Sequence, residues 1–129
     1  MLCMLLSACR STKNINVAKQ AVEQFHSQLD SERYNALYAA ADDKFHNVMT
    51  EPDFTKLLSA VHRKLGTVQR SILRNTGVAW NAGQGATVTL AYDTTFAAGS
   101  GTEQFIWHIS DNRATLYGYH INSKELVTK

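Results

Sequence analysis

A chain of 129 residues has room for one domain, and a domain of that size buries roughly two thirds of the surface its unfolded chain exposes, so it can fold without staples. Its 13 basic and 11 acidic residues are interspersed and leave a formal net charge of +2, with no basic run that would track nucleic-acid phosphates. Both cysteines, Cys3 and Cys9, fall in the first nine positions, which leaves everything from Arg10 onward without a disulfide, a zinc-thiolate site or a thiol nucleophile.

Residues 1–9 form an apolar run closed by small residues, the pattern of a processing signal, and the run is too short to span a bilayer. Within it, Leu6-Ser7-Ala8-Cys9 resembles the bacterial lipobox, an aliphatic residue and two small ones before the cysteine that is lipidated. The resemblance implies lipidation at Cys9, a palmitate-type anchor in the bacterial cell envelope, and a membrane as partner. Arg10 after the cysteine, where Asp would direct retention at the inner membrane, implies the outer membrane facing the periplasm. The front lacks a basic region and is short, so a start upstream of Met1 is expected; the competing reading is an incidental hydrophobic start to a cytoplasmic chain. Residues 10–14 are polar and are expected to be a tether. Residues 15–129 are expected to form a single α+β domain.

From Ile15 the apolar positions Ile15, Ala18, Val22, Phe25 and Leu29 step by three and four, the stripe of an amphipathic helix. A second, shorter helix is expected after Asp30-Ser31, with Tyr34, Leu37, Tyr38 and Ala41 inward, and the chain loosens around Asp42-Asp43-Lys44. The third helix is punctuated by Thr50 as N-cap, Pro52 and Asp53 in its first turn, Arg63 and Lys64 in its last, and Gly66 as its stop.

After Gly66 the period becomes two, and turn residues recur at Asn75-Thr76-Gly77, Gly83-Gln84-Gly85, Gly99-Ser100-Gly101 and Asp111-Asn112. Strands are expected near 67–75, 78–82, 86–96, 103–110 and 113–121. Three N-terminal helices packed on a curled antiparallel meander make an α+β fold. Leu65-Gly66-Thr67-Val68 at the switch, Tyr92-Asp93-Thr94-Thr95-Phe96 with Glu103, and Tyr117-Gly118-Tyr119 make residues 15–121 resemble the cone-shaped nuclear transport factor 2-like (cystatin-like) superfamily, and within it small envelope domains of unknown function. The resemblance implies a fold and no particular activity, because isomerases, dehydratases, binding modules and inert domains share that scaffold.

A two-residue turn at Asp111-Asn112 pairs Ser110 with Arg113, and strict alternation then sets Trp107 opposite Leu116, Phe105 opposite Gly118 and Glu103 opposite His120. Pairing Phe96 with Glu103 sets Tyr92 opposite Trp107. One face then carries Val88, Leu90, Tyr92, Phe105, Trp107, Ile109 and Leu116 and lies under the helices, with Gly118 making room for the Phe105 ring. Tyr92, Phe105 and Trp107 are the pocket candidates on this face, and Glu103 and His120 at its rim, with Tyr92, are the catalytic candidates. The structural reading of Glu103 and His120 is preferred: a solvated pair whose removal changes stability little. His26 and His62 lie beside apolar helical stripes, and His46 lies in a loop near Asp42-Asp43. No spacing matches a metal or phosphate motif, so neither metal nor cofactor is expected.

On the opposite face the same register places Ala91, Asp93, Ile106, His108, Tyr117, Tyr119 and Ile121. Ile106, Tyr117, Tyr119 and Ile121 are candidates for a homodimer interface, a use of this face that the resemblance also implies. The function expected is a lipid-anchored, non-catalytic binding or interaction module whose partner is an envelope protein. The rivals are a pocket enzyme of the isomerase or dehydratase kind using Glu103 or His120, and a carrier of a small apolar ligand.

Overall fold

The computed structural model describes residues 2–80 and 83–127, with side chains described from Arg10 onward. The three-and-four stripe of the first helix does what its spacing predicts: Ala18, Val22, Phe25 and Leu29 are buried along α1, Leu2–Asp30. This helix also runs through residues 10–14, so the expected tether is a continuous helical stem.

Two short helices follow where one was expected. α2 spans Tyr34–Ala40, and Asp42 then starts α3, Asp43–Val48, by accepting a hydrogen bond from the Lys44 backbone N–H at 3.0 Å. The Asp-Asp-Lys segment is therefore a cap between helices, because a short acidic side chain satisfies donors at a new N-terminus. α4, Glu51–Leu65, has the punctuation read from its sequence: the Thr50 hydroxyl accepts from Asp53 N–H at 3.3 Å, and Gly66 ends it at a φ of 83° that few other residues adopt. Phe54, Leu58, Val61 and Leu65 are its buried side. Among the described residues, four helices, and not three, precede the sheet.

The sheet has four antiparallel strands in the order β1-β2-β3-β4: β1 Val68–Trp80, β2 Ala86–Phe96, β3 Gly99–Ser110 and β4 Arg113–Asn122. A last short helix, α5, covers Lys124–Val127. β1 absorbs both strands expected at 67–75 and 78–82, whose last two positions lie outside the described residues. Asn75-Thr76-Gly77 is no turn; a register shift between Leu73 and Asn75 accommodates the surplus residue while the strand continues along β2.

Two hairpins decide the site. Between β2 and β3 the turn falls at Ala97-Ala98, so Phe96 pairs with Gly99 and Tyr92 pairs with Glu103, not with Trp107. That pairing is four residues from the expected one, an even displacement, so every residue keeps its face. Val88, Leu90, Tyr92, Phe105, Trp107, Ile109 and Leu116 are all buried. Between β3 and β4, Asp111 and Asn112 turn at positive φ of 52° and 61°, and Ser110 pairs with Arg113 as expected. Trp107 pairs with Leu116, but the next pair is Ile106 with Gly118, leaving Tyr117 as an extra residue in β4. This bulge reverses parity for the rest of the strand. Phe105 then faces Tyr119, Glu103 faces Ile121, and His120 pairs with Gln104.

α1 lies across the inner sheet face and packs against all four strands. With α4 and the short helices it closes a core centred on Phe25, Phe54, Leu58, Leu90 and Phe105.

Candidate functional site

Strand parity brings four polar side chains together between α1 and the sheet. Glu103 projects inward from β3, Thr94 from the neighbouring β2, and Tyr119 from β4, turned in by the bulge; His26 descends from α1 between the buried Phe25 and Leu29. Glu103 has no solvent exposure, and both carboxylate oxygens are engaged. His26 Nε2 lies 2.8 Å from Oε1, the Thr94 hydroxyl donates to Oε1 at 2.6 Å, and the Tyr119 hydroxyl donates to Oε2 at 2.6 Å. With the Thr94 proton committed to Glu103, Ser71 of β1 donates to Thr94 across 3.1 Å. Short O–H···O distances of this kind belong to charge-assisted bonds on a carboxylate.

Aromatic rings wall the network. Phe105 meets Phe25 edge-on at 5.1 Å and lies 5.1 Å from Tyr119 and 5.7 Å from His26. The Tyr119 hydroxyl is held well above the ordinary phenol range, first by burial, then by the Glu103 charge and the hydrogen bond it donates to Glu103. Tyr92 is pushed up to about 12 by burial, with Glu23 and Glu103 adding negative potential.

The structure thus separates the sequence-predicted residues. Glu103 is at the centre, not at a rim. His120 is exposed and is not its partner, because the bulge turns it to the other face. The partner is His26, a residue read from sequence as lying beside an apolar stripe; its position four after Val22 and three before Leu29 was the available signal, since that spacing continues the stripe. Tyr92, Phe105 and Trp107 are core residues. Tyr119 is also in the core and Ile121 is half-buried against it, so neither belongs to an outer patch. Gly118 makes room for Ile106, not for Phe105: a Cβ there would lie 3.1 Å from Ile106 Cδ1. Cys9 lies outside the residues whose side chains are described.

Of the outer-face candidates, Ile106 and Tyr117 remain, both half-buried. Tyr117 stacks on His108 at 5.0 Å and carries the Lys44 ammonium 5.4 Å from its ring centroid. The Asp42 carboxylate accepts from the Thr115 hydroxyl at 3.2 Å, drawing the α2–α3 junction onto this face.

A cleft of about 120 Å³ opens between α1, α2 and the β3–β4 hairpin, lined by Ala21, Gln24, Gln28, Leu37 and Trp107 among others. The Trp107 indole N–H is buried without a partner among the described residues. Among those residues, no group of three or more His, Cys, Asp or Glu side chains could hold a metal ion, and no helix is long and apolar enough to cross a membrane.

Helices laid on one face of an open four-stranded antiparallel sheet, with a sealed carboxylate network between the layers, define a small α+β domain. The chain belongs to DUF4019, a family of proteins of unknown function whose profile matches residues 21–119 and so includes His26, Thr94, Glu103 and Tyr119. No curated protein matches the chain.

Proposed function

We propose that this is a lipid-anchored protein of the bacterial cell envelope whose domain is a non-catalytic binding or interaction module of the nuclear transport factor 2-like (cystatin-like) superfamily. The observation that carries the non-catalytic reading is the saturation of Glu103. A general base must come within about 2.6–3.2 Å of the proton it removes. Here that shell is filled by His26, Thr94 and Tyr119, and the carboxylate is fully buried. Its role is to lock α1 onto the sheet. Lipidation is supported by Leu6-Ser7-Ala8-Cys9, and placement at the outer membrane by Arg10. The order of helices before a meander supports the superfamily.

Carbodiimide labelling of the native protein tests the closed site: exposed carboxylates such as Asp43 and Asp93 should react while Glu103 is spared until the protein unfolds. Modification of Glu103 in the folded state would favour the isomerase or dehydratase reading. Labelled palmitate, fed to cells expressing the chain behind a complete signal, should enter the wild type and not Cys9→Ser. Absence of label from the wild type would remove the anchor.

The cleft beside Trp107 favours a second reading, carriage of a small apolar ligand bearing a hydrogen-bond acceptor. A cavity of roughly 150 Å³ holds a benzene-sized molecule; the cleft, at about 120 Å³, would take most of one and leave the rest at its mouth, and the unpartnered indole N–H would supply direction. Cyclohexanone as probe should quench or shift Trp107 emission saturably in a Trp80→Phe background; no saturable response would discard the carrier.

A further inference from the structure

We infer that the end of the domain next to Cys9 is a docking surface for an anionic phospholipid membrane, so that the protein lies on the bilayer by a basic and aromatic contact in addition to its lipid. The inference rests on the lipid anchor proposed above for its geometry, and on the residues of this end for its chemistry.

The first acidic residue of the chain is Glu23; before it, α1 carries Arg10, Lys13 and Lys19. At a rise of about 1.5 Å per residue, the helix therefore presents only positive charge for about 20 Å from the anchor site. Arg10 and Lys13 are exposed. They line one side of a groove of about 440 Å³ whose other side is formed by Trp80, at the end of β1, and by the Asp111-Asn112 turn. Trp80 is half exposed at 51 %, one of only three large apolar side chains so exposed among the described residues. Asp111 is the one carboxylate lining the groove, and Arg113, at the foot of the same hairpin, is exposed beside it. The local balance is cationic.

An exposed tryptophan beside two cations fits one surface well. Indole settles at the boundary between acyl chains and headgroups, while Arg and Lys reach lipid phosphates with their charge and keep their methylene stems against apolar surface. The position of the groove selects the membrane over other anionic partners: Arg10 directly follows the cysteine that would carry the lipid, and the intervening backbone is continuous helix. A rigid stem holds Arg10 and Lys13 within a screening length of the headgroups, where their attraction is not lost to salt.

The protein supplies its own reporter, because Trp107 is buried and Trp80 is the exposed tryptophan. The full chain with Cys9→Ser, which lacks the lipid, is titrated with phosphatidylcholine vesicles and with vesicles in which part of the lipid is phosphatidylglycerol. Residues 1–9 are common to both titrations, so the difference reads the basic end. Trp80 emission should shift to the blue on the anionic vesicles, with affinity above that for neutral vesicles by about fivefold for each cation engaged. Arg10→Gln with Lys13→Gln should remove most of that preference, and Trp80→Phe should abolish the shift while circular dichroism stays unchanged. Equal binding to both vesicle types, or an unchanged preference in the double variant, would overturn the docking surface. Because the acyl chain is absent throughout, those results are independent of palmitate labelling, and a failure of lipidation is read separately.

Discussion

At the scale of single residues, Glu103 concentrates the consequences of burial. Its carboxylate satisfies three donors, so removing it strands the buried His26, Thr94 and Tyr119 without their acceptor, and breaking a buried pair in this way costs about 3–5 kcal/mol. Glu103→Ala should lose stability in that range by urea denaturation. Glu103→Gln should lose about 1–3 kcal/mol, since the amide keeps the shape but turns one acceptor into a donor facing a donor. A change below about 0.5 kcal/mol in both variants would return Glu103 to the solvated role that strict alternation assigns it. The tyrosines carry a second consequence. A phenol in the unfolded chain releases its proton near 10, whereas Tyr119 is held well above that range and Tyr92 is pushed up to about 12. Where only the unfolded state has lost the proton, folding is penalised, so the contribution of both groups is fully present below about pH 10 and declines as pH rises toward 12 and beyond. Alkaline unfolding should therefore set in above pH 10. Tyr119→Phe should weaken that dependence while lowering stability near neutrality, and an unchanged alkaline profile would contradict the placement of Tyr119.

At the scale of elements, the turns and bulges determine what composition alone leaves open. The Gly83-Gln84-Gly85 turn holds both glycines at positive φ, 72° and 79°, yet their surroundings differ. A Cβ on Gly83 would meet nothing within 4 Å, while one on Gly85 would overlap the Ile109 carbonyl oxygen. Gly83→Ala should cost about 1 kcal/mol of backbone strain, and Gly85→Ala should cost more, on the order of 2–4 kcal/mol, because overlap with backbone adds to strain. Equal costs by denaturation would mean that the hairpin shifts freely from β3. The same contrast explains which parts were legible in the sequence. The helical stripe from Ile15 to Leu29, the Thr50 and Gly66 boundaries and the Asp111-Asn112 turn are local patterns, and local physics realises them. The inner face of β2 and β3 was legible although the turn between them falls at Ala97-Ala98, because a displacement by four residues preserves parity. The network was not, because a single surplus residue at Tyr117 reverses parity; Gly118, an isolated glycine within the strand, was the one local sign of a bulge, and strict alternation spent it on room for a ring. His26 was hidden for another reason: its partner lies 77 positions away.

At the scale of the whole molecule, an open sheet with one covered face depends on whatever covers it. α1 lies across all four strands, and its contribution is both apolar, through Val22, Phe25 and Leu29, and polar, through His26 on Glu103. If α1 were to leave, Leu90, Phe105 and Tyr119 would be exposed together with a carboxylate that keeps Thr94 and Tyr119 but loses His26, so a sheet without its helix has no stable intermediate standing. Helix and sheet should therefore unfold as one cooperative unit. Far-ultraviolet ellipticity, dominated by the helices, and the emission of Trp107 in a Trp80→Phe background should give coincident thermal transitions. Glu103→Gln should lower both midpoints together, by about 3–10 °C for a loss of about 1–3 kcal/mol in a domain of this size. Loss of helical signal ahead of Trp107 would show that α1 is only docked on a self-sufficient sheet, and a carboxylate buried between the layers would then have no part in holding them together.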